Sequence, residues 1–119
     1  MADAWITYWQ ADKNSPERDA NDWANQLLFD WAGTDYKPDL VWQFILEAYL
    51  RDLSDKLISL LAAGPLEDLL ARFGSDYIDR VETLARKDPK FNHLLGGVWK
   101  NAMLDNIWNR LQAARKEVW

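Results

Sequence analysis

Four prolines do more than any other residues to limit what this chain can become. Pro16, Pro38, Pro65 and Pro89 stand 22, 27 and 24 residues apart, each directly ahead of a run with helical periodicity. A proline ring fits the first turn of a helix, where its missing N–H would have no intrahelical acceptor, and it is excluded from helix interiors and central strands. Ser15, Lys37, Gly64 and Asp88 precede them, and Gly33, Gly64, Gly74 and Gly96 follow apolar runs as helix-ending glycines do. No alternating Val/Ile/Thr-rich segment bounded by turn residues occurs, so no strand is expected.

The expected fold is all-α, a stack of six to eight short helices arranged as orthogonal or solenoid-like hairpins in one domain over 1–119. Helices are predicted near 3–12, 17–32, 38–52, 54–63, 65–73, 76–87, 89–95 and 98–117. In the first, Trp5, Tyr8 and Trp9 share a face, and in the second Trp23, Leu27 and Trp31 follow one another at i+4 steps. Between 40 and 50 the third is apolar nearly all round, with only Gln43 and Glu47 making a narrow polar stripe, and it belongs at the centre. In the last, Leu104, Ile107, Trp108, Leu111 and Val118 are assigned to one side. Eight tryptophans in 119 residues supply much of the apolar area, and most are expected in the core. Trp119 has no role in this reading.

Chemistry is sparse. With no cysteine there is neither a disulfide framework nor a thiolate metal site, and the lone His93 in KFNHLLGG lacks a metal-ligand or catalytic spacing. Gly96-Gly97 lacks the lysine and context of a phosphate loop. No catalytic, cofactor or metal residue is therefore assigned, and the chain is not expected to be an enzyme. Glu67 and Asp68 are adjacent on a helix and point about 100° apart, which suits shared work on one substrate atom poorly. Glu67 reads instead as the capping charge of a helix opened by Pro65. Asp68–Arg72, Asp76–Arg80 and Glu82–Arg86 have the i,i+4 spacing of exposed ion pairs.

The net charge of −5 is unevenly spread. Residues 1–55 hold eleven acids and four bases, whereas 56–119 hold eight acids and ten bases. An acidic half argues against nucleic acid and is compatible with steering towards a basic partner. The acids with few basic neighbours are Asp19, Asp22, Asp30, Asp35 and Asp39, with Trp23 and Trp31 among them. Asp19, Asp22, Asp30, Asp35, Glu67 and Asp68 are the candidate partner-binding residues. The N-terminus has no signal-peptide pattern, and LVWQFILEAYL at 40–50 is too short to span a bilayer, so a cytoplasmic protein without membrane contact is expected.

WQFIL at 42–46, AAGPLEDLLARFG at 62–74 and YIDRVETLARKDPKFNHLLGGVW at 77–99 resemble, in that order, a family of small bacterial domains of unknown function. The resemblance spans roughly 20–110. It implies a bacterial, all-helical, cytoplasmic protein and carries no catalytic residue. In character the chain is also similar to the immunity proteins of bacterial toxin systems, which bind a toxin domain, often a basic nuclease. The expected function is binding and inhibition of such a toxin, the alternative being a helical adaptor with a housekeeping partner.

Overall fold

A computed structural model describes all residues, 1–119, as seven α-helices and one π-helical turn, with no strand. The chain divides into two compact units, Met1–Leu53 and Ser54–Trp119.

The first unit contains α1 (Ala2–Gln10), α2 (Pro16–Trp31) and α3 (Pro38–Tyr49). Ser15 starts α2 in the expected way: its hydroxyl accepts from the Arg18 N–H at 3.1 Å and Pro16 takes the first helical position. Central α3 buries Val41, Trp42, Phe44, Ile45, Ala48 and Tyr49 and leaves Gln43 and Glu47 exposed. Trp5 of α1 meets Phe44 edge-on at 5.3 Å, and Asp3 accepts from Arg51 at 2.9 Å.

The second unit departs from expectation at its centre. Gly64 and Pro65 do not separate two helices. Helix α4 (Asp55–Leu61) continues through the π turn Ala62–Leu66 into α5 (Glu67–Lys87), so the helices expected over 54–63 and 65–73 run into one another. A π turn carries one extra residue per turn, so a proline that lacks an N–H can sit inside it without ending the helix. The break expected near Gly74 is present as a kink, α5 being two helical stretches joined there. The irregularity lies at Phe73 (φ −129°, ψ 30°), and Gly74 is buried where a Cβ would come within 2.9 Å of Ile107. None of the five glycines has positive φ; the left-handed positions are Asn14 and Asn101.

Helix α5 buries Leu69, Leu70, Gly74, Tyr77, Ile78, Val81 and Ala85 along one stripe. Asp88 caps α6 (Pro89–Leu95) by accepting from the Lys90 N–H at 2.9 Å, as Ser54 caps α4 through the Leu57 N–H. The last helix, α7, runs only from Asp105 to Ala114, against the expected 98–117. Residues 98–104 are a loop and 115–119 an extended tail, so Ile107 and Leu111 are buried while Leu104 and Val118 are exposed. Arg110 joins α7 to α5 by donating to Asp79 and Glu82. That hydrogen bond from Arg110 holds the Glu82 carboxyl below its ordinary range, against a smaller opposing effect of burial. Glu82 thus answers mainly to a residue 28 positions away and not to Arg86.

Tryptophan is used differently from expectation too. Of the eight, only Trp5 and Trp42 are buried, and Trp23, Trp99 and Trp119 are exposed. No helix is long and apolar enough to cross a membrane.

Candidate protein-binding face

Helix α2 fully buries a single residue, Ala24. The expected inward stripe of Trp23, Leu27 and Trp31 is therefore only half right: Leu27 and Trp31 are half-buried, but Trp23 is 50 % exposed. Positions 19, 22, 23, 26, 29 and 30 follow one another at three- and four-residue steps and so share one face of the helix. That face carries Asp19, Asp22, Trp23, Gln26, Phe29 and Asp30, all exposed except the half-buried Asp22. Phe29 is 69 % exposed, a large apolar side chain in water beside three carboxylates.

The one base on α2 is turned elsewhere. The Arg18 guanidinium lies 4.4 Å from the Tyr8 ring centre and 5.5 Å from that of Trp9, on α1. Asp19, Asp22 and Asp30 consequently make no ion pair. The face combines uncompensated negative charge with two exposed aromatic rings, a composition suited to a basic partner that can bury the rings.

The other sequence-predicted residues are placed differently. Asp35 lies in the turn after α2, paired with Lys37 at 2.9 Å, and the Lys37 hydrogen bond lowers its pKa. Its charge is matched locally, and it does not extend the α2 face. Glu67 and Asp68 belong to the second unit. Glu67 is not a capping charge, because the helix runs on through it. Its carboxylate accepts from the Trp99 N–H at 2.9 Å and from the Asn101 side-chain amide at 2.5 Å, and so pins the 98–104 loop. Asp68 pairs with Arg72 one turn on at 3.4 Å, as its spacing predicts. Of the six candidates, three thus lie on one open face, and the other three are engaged within the chain.

Phe29 belongs with the site and escaped the sequence reading. The available signal was its position, seven residues after Asp22 and so two turns along the same face. No group of three or more His, Asp or Glu side chains is placed to hold a metal ion.

No curated protein matches this chain. No solved structure matches it either. The sequence profile of DUF6869, a family of unknown function, matches residues 11–118. The match covers nearly the whole chain and takes in α2, so the α2 face described above stands on a member of the DUF6869 family.

Proposed function

We propose that this chain is a binding protein that grips a basic protein partner with the α2 face, most concretely an immunity or inhibitor protein that neutralises a bacterial toxin domain. The observation that carries this reading is the row of unpaired Asp19, Asp22 and Asp30 around exposed Trp23 and Phe29. Unpaired like charges on one helix face repel one another slightly, and two exposed aromatic rings cost hydration free energy. Both costs are recovered on docking: each ring can contribute on the order of 2 kcal/mol by burial, and the acids speed encounter with a positive surface. A nuclease domain, whose active cleft is basic in order to hold nucleic acid, is the partner class that fits.

The test is affinity capture from the cells that encode the chain, run side by side with Trp23→Ala and with Asp22→Lys/Asp30→Lys. A basic protein held by the wild type and lost by both variants, at unchanged melting temperature, supports the reading. Equal retention by all three overturns the α2 face. Relief of the captured protein's toxicity on co-expression separates an immunity protein from an adaptor with a housekeeping partner.

A further inference from the structure

The tail that follows α7 is held along α6 by a series of specific contacts. The amide of buried Asn92 donates to the Ala114 carbonyl at 3.0 Å and the Ala85 carbonyl at 3.2 Å, and its oxygen accepts from the Lys116 N–H at 2.9 Å. Further on, the Trp119 N–H donates to the Gly96 carbonyl at 3.0 Å and the indole N–H to the His93 carbonyl at 2.7 Å. The indole spans Gly96 and Gly97, where a Cβ at either position would lie 2.5 Å from ring atoms. Only glycine leaves room for it. The ring also stacks on the His93 imidazole at 5.3 Å, 23° from parallel.

This docking builds a pocket of about 300 Å³, lined by Asp55, Ile58 and Ser59 of α4, His93 of α6, and Trp119. Its chemistry is one-sided. Asp55 offers a carboxylate, and Ser59 a hydroxyl that can accept. His93 Nδ1 lies 2.5 Å from the Glu117 carboxylate, so Nδ1 carries a ring proton and, in the neutral ring, Nε2 can accept. No lysine or arginine lines the pocket; Lys56 lines a neighbouring depression with Leu60, Ala63 and Gly64. Acceptors and flat aromatic rings therefore surround a space with one carboxylate and no cation.

We propose that this pocket binds a guanidinium group. A guanidinium is planar, permanently charged and rich in donors, pairs bidentately with carboxylate and stacks on aromatic rings. Asp55 takes its charge, Trp119 supplies the flat surface, and Ser59 and His93 Nε2 accept its remaining N–H groups. A lysine ammonium matches the charge but not the plane. The pocket lies wholly within the 54–119 unit and does not depend on the α2 face. Because the tail supplies Trp119 and orients His93 through Glu117, a ligand that occupies the pocket also favours the docked tail.

The test follows the Trp119 indole N–H in nuclear magnetic resonance spectra, identified by its loss in Trp119→Phe. N-acetylarginine amide, an Ala-Arg-Ala peptide, N-acetyllysine amide and the citrulline amide are titrated in turn. The arginine probes shift the signal saturably, lysine binds about tenfold more weakly, and citrulline, which is isosteric but neutral, leaves it unmoved. Asp55→Asn and Ser59→Ala each weaken arginine binding at unchanged melting temperature, and bound arginine slows amide exchange at 116–119. Tight binding of the peptide alone points to an arginine side chain of a protein, and of the free amide alone to a small molecule. Equal binding of citrulline, undiminished binding in Asp55→Asn and Ser59→Ala, or no saturable shift by about 50 mM ligand overturns the proposal.

Discussion

Asn92 illustrates how much a single polar side chain can hold together. It is the one buried polar or charged residue, and its amide ties the end of α5, the end of α7 and the tail to α6. Replacing it with leucine keeps the branched shape but adds bulk and strands two carbonyls and an N–H. Since each buried group left without a partner costs roughly 1–3 kcal/mol, Asn92→Leu is expected to destabilise the second unit by about 3 kcal/mol in urea denaturation. Amide exchange at Lys116 should rise well before global unfolding. At this scale the sequence was partly legible. Ser15 and Asp88, the residues ahead of Pro16 and Pro89, do cap helices, because a cap depends on neighbours three residues away or closer. Glu67 was not, because what it binds is 32 and 34 residues distant and its local setting imitates a helix start.

Among the elements, the contact of α5 with α7 sets two opposing effects against each other. Alanine in place of a helical glycine ordinarily stabilises by about 1 kcal/mol. At Gly74 the new methyl would meet Ile107 Cγ1 and Cγ2 at 2.9 Å, and overpacking of that kind costs about 1–3 kcal/mol. Steric cost wins, so Gly74→Ala is expected to lower the melting temperature, and Ile107→Val in the same chain to recover part of the loss. The Arg110 link between the same helices should respond to acid. The Glu82 carboxyl is held below its ordinary range in the folded state, so its stabilisation is complete above about pH 4.3, the unfolded value. It is lost as pH falls through the depressed folded value. Denaturation midpoints followed from pH 6 to 2 are therefore expected to fall less steeply for Glu82→Gln than for the wild type. Helix starts at Pro16, Pro38 and Pro89 could be read in advance, whereas Pro65, with a similar local signal, lies inside the π turn that continues α4. Periodicity also marked Trp23 and Trp31 as neighbours on α2 without saying which side of a helix with apolar residues on both would face water.

Over the whole molecule, charge is the most telling quantity. The eleven acids and four bases of residues 1–55 contrast with the slight basic excess of the remainder, and the local imbalance is greatest where Arg18 turns away from Asp19 and Asp22. Association through such a surface is steered, so its rate depends on ionic strength. For the proposed basic partner, the association rate is expected to fall at least tenfold between about 20 and 500 mM salt while the dissociation rate changes little, measured by stopped-flow or surface capture. Asp22→Lys/Asp30→Lys should flatten that dependence. A rate indifferent to salt would remove the electrostatic argument for the α2 face.

The π turn at Ala62–Leu66 has a consequence for how this chain tolerates insertion and deletion. A helix turns by about 100° per residue, so the one-residue excess of a π turn works as a fixed phase offset between the segments on either side. With it, Leu57 and Leu61 upstream and Leu69 and Leu70 downstream are all buried. Gly64 has open space around it and looks dispensable. Deleting it would remove that offset and rotate α4 against α5 by about that angle, carrying Leu57 and Leu61 towards water and leaving Pro65 in a turn of ordinary α geometry that a proline strains. The same position should accept alanine readily, since what matters there is the number of residues and not the side chain.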